Sequence, residues 1–495
     1  MKMIKTILSL LVVTVLASCS TGQQAPEHTA TTGVETPVVR EVTILAVNDM
    51  HANIDDLPKL AYIVDELRAQ YPDMLLVSAG DHQTGNPMND QYEEKGRPII
   101  DLMNALKFDL SAVGNHEFDF GIESFEKHTQ LANFDHISAN VSWPKNRRLN
   151  IKPYKSFTLE NGLTLAFVSV IDLNERNQPD AHPDHLSEFK FSDPYKTAQH
   201  YLYLADESDV LIYMTHLGFE NDVILANSFP PGVVDLIIGG HSHTKVDTEQ
   251  IHNGVLITQA QNRLKYATLI RLEVHADGSV ERAMSLLPVA ASKNEQSAMR
   301  SLVDKYNQNP YMMEVIAKAP YDFRSREEIA YWMADAMKAT AQSDIALVNR
   351  GGVRIDELAA GDITRKSIFS IDPFGNALAT VNMTGHELKR FISDMFSQDD
   401  YRFMYPAGLL LKYTTADNDS KLVNLELFNE DGTPLDMDAT YRLVTSSYVL
   451  SIVKYDRKDP GQSLTITSTE GWIDWLLSGA EVKNYQTVKR TFVNE

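Results

Sequence analysis

Apolar runs recur along the first half of the chain, and each closes on a short polar loop. Thr43-Ile44-Leu45-Ala46-Val47 leads into Asp49 and His51, and Met74-Leu75-Leu76-Val77-Ser78-Ala79-Gly80 leads into Asp81. Leu110-Ser111-Ala112-Val113 leads into Gly114-Asn115-His116-Glu117-Phe118-Asp119. Val210-Leu211-Ile212-Tyr213-Met214 precedes His216, and Val234-Asp235-Leu236-Ile237-Ile238-Gly239-Gly240 precedes His241 and His243. Such runs predict strands buried on both faces. Amphipathic stretches such as Leu57 to Gln70 separate them, so the pattern from Glu41 to about residue 290 is β-α-β and the class is α/β. Further strands are expected at Ile137 to Val141, Leu163 to Val170 and Val255 to Thr258. Open α/β sheets bind ligands at the carboxyl ends of their strands, which is where these polar residues fall.

The pattern then changes. Lys293 to Gln308 is charged, helix-prone and free of Gly and Pro, and reads as a linker helix within residues 291–312 or as a peripheral helix of the first domain. A second domain, 313–495, opens with helical periodicity over Glu327 to Gln342, placing Ile329, Trp332, Met333, Ala336 and Met337 on one stripe. Strands are expected at Asp344 to Val348, Asn376 to Asn382, Leu409 to Tyr413, Leu422 to Leu427 and Tyr441 to Ser446. Thr384 with Glu387 reads as a capping box for a helix reaching Met395, giving a smaller α+β unit.

A length of 495 residues exceeds what one core organises, in keeping with two domains. The net charge of -22 excludes a nucleic acid polymer as partner, since that needs a basic footprint. A small anion held by local cations is still admitted. Met1 to Cys19 has Lys2 and Lys5, the apolar stretch Ile7 to Leu16 and then small residues, which is an export signal too short to span a membrane. Its end, Leu16-Ala17-Ser18-Cys19, resembles the bacterial lipoprotein signal, whose cysteine is lipid-modified after cleavage. The resemblance implies a lipid anchor on Cys19, and Ser20 after it implies the outer membrane, with the domains in the periplasm. The chain has a single cysteine, so acylation there removes both disulfides and thiol catalysis. Residues 20–40, rich in Thr, Gln, Pro and Gly, read as a flexible tether.

Asp, His and Asn side chains gathered at strand ends suit divalent metals, with imidazole favouring Zn, Mn or Fe and carboxylates also accepting Mg and Ca. Asp49, His51, Asp81, Asn115, His216, His241 and His243 are too many for one tetrahedral ion. Two ions sharing a carboxylate use them well, and such pairs serve phosphoryl transfer. In the second domain, Arg324-Ser325-Arg326-Glu327 and the stretch Asn349 to Arg354 supply guanidinium groups beside a glycine turn and offer a phosphate clamp, though each arginine alone reads more readily as a solvated surface charge. Phe374 before one strand and Tyr448 after another offer a base-stacking pair, with core packing as the alternative.

These motifs, Asp49-Met50-His51, Gly80-Asp81, Gly114-Asn115-His116-Glu117, Thr215-His216 and Gly239-Gly240-His241-Ser242-His243, resemble those of the calcineurin-like metallophosphoesterases in the branch of the bacterial 5'-nucleotidases. The resemblance implies an N-terminal two-sheet metallophosphoesterase domain at 41–290 and a 5'-nucleotidase C-terminal domain that binds substrate. It implies one metal on Asp49, His51, Asp81 and His243, another on Asp81, Asn115, His216 and His241, and Asp81 as the bridge. It also implies that a hydroxide generated by the metals attacks phosphorus, that His116 assists the leaving oxygen and that Asp119 orients His116. In the second domain it implies nucleoside binding between Phe374 and Tyr448, with Arg324 and Arg354 on the phosphate and Asn349 near the base.

Two departures bear on the nucleoside. The family's Asn-Gly-Gly-Gly turn reads Asn349-Arg350-Gly351-Gly352, and Ser451-Ile452-Val453-Lys454-Tyr455-Asp456 replaces its Gly-Gly-Asp-Gly, leaving Asp456 as the nearest carboxylate for a ribose. The expected activity is 5'-nucleotidase-type phosphate release. Its rivals are a 2',3'-cyclic-nucleotide phosphodiesterase, a UDP-sugar or dinucleotide pyrophosphatase, a sulfur-oxidising hydrolase, a non-catalytic metal- and nucleotide-binding lipoprotein and a structural module. His116 with Asp119 argues for turnover, because a pure binder has no use for an acid that is not a ligand.

Overall fold

The computed structural model describes residues 39–397, 403–417, 419–453 and 457–494. The signal, Cys19, nearly all of the tether and Asp456 lie outside the described residues.

Two sheets build the first half of the fold. One has seven strands in the order 280–288, 266–274, 40–47, 75–78, 110–112, 135–137 and 151–152. The other has six, in the order 250–252, 255–258, 236–238, 210–216, 164–171 and 154–158. The runs that carry candidate ligands are parallel to their neighbours, with Val47 level with Ser78, Ser78 with Ser111, and Met214 with Ile238. Their carboxyl ends therefore rise to one level within each sheet.

Burial on both faces explains the unbroken apolar runs. Ile44, Ala46 and Val77 pack between the sheets against Phe167, Ile212, Met214 and Ile238. Leu45, Val47 and Leu76 face the helices Leu57–Gln70 and Arg97–Leu106 on the outer side. Tyr213 and Ile237 likewise meet Leu225 and Phe229 outside the second sheet. The result is a helix-sheet-sheet-helix sandwich in which alternate side chains of one strand enter different cores.

The strand expected over Ile137 to Val141 divides into Asp135–Ile137 and Val141–Ser142. Between them the backbone passes from one sheet to the other. Ala139 N–H donates to Ser169 O at 2.7 Å, and Asn140 both donates to Ile171 O and accepts from Ile171 N–H at 2.9 Å. A buried asparagine thus substitutes its amide for ladder bonds where strand pairing stops.

The helix Ser297–Asn307 lies on the first half, where Gln296 N–H donates to Pro58 O and Tyr306 Oη to Asp101. Beyond it, helix Arg326–Ala341 buries Ile329, Trp332, Met333, Ala336 and Met337 as its periodicity predicts. It lies on a five-stranded sheet ordered 404–407, 345–349, 440–446, 377–384 and 462–467. Thr384 and Glu387 form the expected capping box, and the helix runs to Phe396. One hydrophobic cluster extends from Leu57 through Met299, Val303 and Met312 to Trp332 and Trp472, so apolar packing continues across the junction of the halves.

Candidate metal centre

The loops at the strand ends are bent sharply. Asp49, His51, Asp81, His241 and His243 all hold positive φ, between 46° and 77°, in the left-handed region that non-glycine residues enter only at a cost. The bends turn these side chains toward one point between the two sheets. His216, as the last residue of strand Val210–His216, is placed by the ladder itself. Close approach also requires glycine: a Cβ on Gly114 would lie 2.2 Å from Asp81 Oδ1, and one on Gly240 would lie 2.8 Å from His216 Nδ1.

Three overlapping groups of donor atoms form at the strand ends. Asp49, His51 and His243 make one, Asp81, His216 and His241 another, and His51, Asp81 and His116 the third. Asp81 is also within reach of His51 and His116, which puts its carboxylate between the groups. His51 Nε2 is 2.9 Å from His243 Nε2, which in turn is 3.4 Å from Asp49 Oδ1. His216 Nε2 is 3.1 Å from Asp81 Oδ2, and His241 Nδ1 is 3.0 Å from Asn115 Oδ1.

Outer partners fix which atom each side chain offers. Nδ1–H of His51 donates to Thr84 O at 3.1 Å and that of His216 to Ala79 O at 2.8 Å, so each ring turns Nε2 inward. Asn115 donates through Nδ2 to Asp180 O, which aims its amide oxygen at the centre. Asn48 Nδ2 donates to Asp49 Oδ2 at 2.6 Å. His216 Nε2 is fully buried and, although 3.1 Å from Asp81 Oδ2, does not meet it with hydrogen-bond geometry. An imidazole nitrogen anchored in this way and facing a buried carboxylate is satisfied by a cation, and hard and borderline donors together suit a divalent one.

The buried carboxylates make the centre electrostatically hungry for positive charge. Burial opposes protonation of His216, yet the carboxylates of Asp81 and Asp49 carry its pKa up to about 10. Burial and the Arg354 guanidinium hold His51 well below its usual value. His116 stands apart from the donor groups' outer anchors: Nδ1 is 2.6 Å from Asp119 Oδ2, and Nε2 is 3.9 Å from Asp81 Oδ2. Burial and Arg354 oppose its charged form, but Asp119 and Asp81 outweigh them and raise its pKa.

The centre opens into a cleft of about 1050 Å³ shared by both halves of the chain. Asn349, Arg354, Phe374 and Tyr448 line it from the second half, opposite Asn115, His116, Asp119, His241 and His243. The Phe374 ring is stacked toward the His116 ring at 6.0 Å, and Arg354 lies 5.5 Å from the Phe374 centroid. Tyr448 approaches His182 at 6.3 Å. Arg324 is exposed just before the cap of helix Arg326–Ala341 and is not among the residues lining the cleft; Arg326 is, paired with Asp356.

Glu117 carries a role that its place in the motif did not disclose. Its buried carboxylate accepts backbone N–H groups of Asp81, His82, Gln83 and Gly114, lashing two ligand loops together. A carboxylate devoted to backbone donors leaves no spacing signature. The loop 172–185, which brings Asp172, Asn174, Arg176 and His182 into the cleft, was equally silent in sequence.

Residues 42–245 match the calcineurin-like phosphoesterase family and residues 315–452 match the 5'-nucleotidase, C-terminal domain family. The chain is 27% identical over 515 residues to a 5'-nucleotidase of Vibrio cholerae, covering 90% of each, and 26% identical over 479 residues to the protein UshA of Yersinia enterocolitica, covering 82% of this chain and 85% of that one. The crystal structure of a 5'-nucleotidase precursor from Thermus thermophilus superposes with a TM-score of 0.79 at 25% identity, over 92% of this chain and 99% of that one. The chain thus carries a calcineurin-like phosphoesterase domain followed by a 5'-nucleotidase C-terminal domain, their residues meeting in one cleft, which is the two-domain fold of 5'-nucleotidase structures.

Proposed function

We propose that the chain is a metal-dependent phosphohydrolase that releases phosphate from nucleoside 5'-phosphates. The observation that carries this reading is the Asp81 carboxylate shared between two groups of donors, with the His116–Asp119 pair beside it. Asp49, His51, Asp81 and His243 would hold one divalent ion, and Asp81, Asn115, His216 and His241 the other. Such ions polarise phosphoryl oxygens and acidify a bound water.

The chain's own groups do the rest. Asp119 accepts from His116 Nδ1 and favours the charged ring, so His116 holds a proton at Nε2 for the departing oxygen. Arg354 faces the same region and offers a planar guanidinium to phosphoryl oxygens. Phe374 and Tyr448 line the cleft as partly exposed aromatics that would take a base between them, and Asn349, on the same lining, would hydrogen bond to it. On the same reading Cys19 carries a lipid that anchors the enzyme in the outer membrane; replacing Cys19 with Ser should release active enzyme from the membrane fraction, and unchanged membrane retention would contradict the anchor.

His116→Ala should lower kcat by ~10² to 10⁴ with bound metal unchanged by elemental analysis. Loss of metal in step with activity would make His116 a ligand and overturn its role as acid.

A further inference from the structure

A second gathering of metal-type donors lies outside the cleft, at the end of a hairpin. Strands Tyr266–Val274 and Val280–Pro288 pair antiparallel, and the first of them also pairs with Arg40–Val47. The register sets Glu41, Glu273 and Glu281 directly opposite one another across three strands. Their neighbours Val42, Leu272, Val274 and Val280 point between the two sheets, so the glutamates share the outer face. Like charges directly opposite on paired strands destabilise the ladder, and a row of three calls for a cation. Arg271, two residues along the same face, is exposed and forms no ion pair among the described residues.

His275 adds a nitrogen donor to the row. Its backbone is fixed in the turn, where its N–H donates to Ser279 O at 2.9 Å and its O accepts from Gly278 N–H at 3.0 Å. One donor atom from each of Glu273, His275 and Glu281 lies within 4.8 Å of the others. His275 Nε2 is closed off from solvent and, although 3.1 Å from Glu281 Oε1, does not meet it with hydrogen-bond geometry. His216 Nε2 has the same relation to Asp81 Oδ2 at the metal centre. In both places a nitrogen and a carboxylate stand as they do when they share an ion and not a proton. Asp277 is committed to the turn, since Oδ1 accepts from the N–H and the hydroxyl of Ser279 at 2.9 and 2.6 Å.

We infer that Glu273, His275 and Glu281 bind a divalent cation of the zinc class, separate from the catalytic centre. One imidazole with two carboxylates is a mixed donor set that suits Zn²⁺ better than Mg²⁺ or Ca²⁺, and water completes the coordination on the open side. Glu273 is level with Glu41, and the strand from Glu41 to Val47 places ~20 Å of extended chain between this site and the loop that carries Asp49. At that distance the ion takes no part in phosphoryl transfer. It joins the two strands of the hairpin at the end where their ladder stops, and it offsets the repulsion between the facing carboxylates.

The test is the amount of Zn²⁺ bound per chain at dialysis equilibrium, by elemental analysis of the full chain and its variants. The parent should hold one ion more than the double variant Glu273→Gln/Glu281→Gln, whose kcat for p-nitrophenyl phosphate should stay within ~2-fold because the catalytic ions remain. Glu273→Gln alone keeps the contact between His275 and Glu281 and should lose the same ion, so the result is readable even if the double variant does not fold. Equal counts in the parent and the Gln variants overturn the inference. An extra ion that survives His275→Ala overturns it as well, because carboxylates that collect an adventitious ion only have no need of the imidazole.

Discussion

At the scale of single residues, the site depends on what each buried polar group faces. Asp119 sets the protonation of His116, so Asp119→Asn should move the basic limb of the kcat profile to lower pH, because the ring loses the anion that raises its pKa. An unshifted limb would remove Asp119 from that role. Asp222 illustrates the reverse case. Oδ1 accepts from Thr215 Oγ1 at 2.6 Å, but Oδ2 is buried against Gly239 with no partner, and burial pushes the carboxyl pKa up to about 8. The folded protein therefore holds a proton that the unfolded chain releases near pH ~4. The stability this proton contributes is present below pH ~4 and is lost as pH rises through about 8. Asp222→Asn, isosteric with the neutral acid, should gain in Tm relative to the parent between pH 6 and 9, and parallel curves would refute the assignment. The candidate ligand residues were legible because Asp, His and Asn after apolar runs have few other uses. Asn48, Glu117 and Asp222 were not, since their partners are backbone amides or neighbours distant in the chain.

At the scale of elements, the centre is as firm as the lashing between its loops. Glu117→Ala would leave the N–H groups of Asp81, His82, Gln83 and Gly114 buried without an acceptor, each costing ~1 to 3 kcal/mol. The variant should bind metal more weakly while any loaded fraction turns over normally; full metal retention by elemental analysis would show that the loops hold without it. Thr384→Ala, which removes a capping box, should cost ~1 kcal/mol in urea unfolding and leave kcat untouched. The central strands were legible in sequence because both faces are covered. Edge strands were not. Val280–Pro288 is mostly half-buried and carries Glu281 and Arg282, and Tyr154–Thr158 has no fully buried residue, so neither shows an apolar run. Helix Ser468–Leu477 was missed for the opposite reason, as Trp472, Ile473 and Leu476 pack inward from a stretch too short to display a clear period.

At the scale of the whole molecule, the chemistry lies where the two halves meet. A chain of net charge -22 nonetheless brings Arg176, Arg326, Arg350 and Arg354 to its cleft, among carboxylates such as Asp172, Glu175 and Asp180, so an entering anion meets local cations. Sequence placed the metal ligands on one half and the aromatic pair on the other, but only the folded chain sets Phe374 6.0 Å from the His116 ring. That cross-cleft placement predicts that Phe374→Ala raises KM for AMP and hardly affects p-nitrophenyl phosphate, which has no base to stack. Equal losses on both would make Phe374 a packing residue.

The central claim is that one cleft joins phosphoesterase chemistry to nucleoside recognition. It is tested most directly by measuring phosphate release by the metal-loaded soluble form, lacking Cys19, from AMP, UMP, ATP, UDP-glucose, 2',3'-cyclic AMP and p-nitrophenyl phosphate. Nucleoside 5'-phosphates turned over with kcat/KM well above that of p-nitrophenyl phosphate are the predicted result. Turnover of p-nitrophenyl phosphate alone would contradict nucleoside recognition, and silence on every substrate would contradict the catalytic reading altogether.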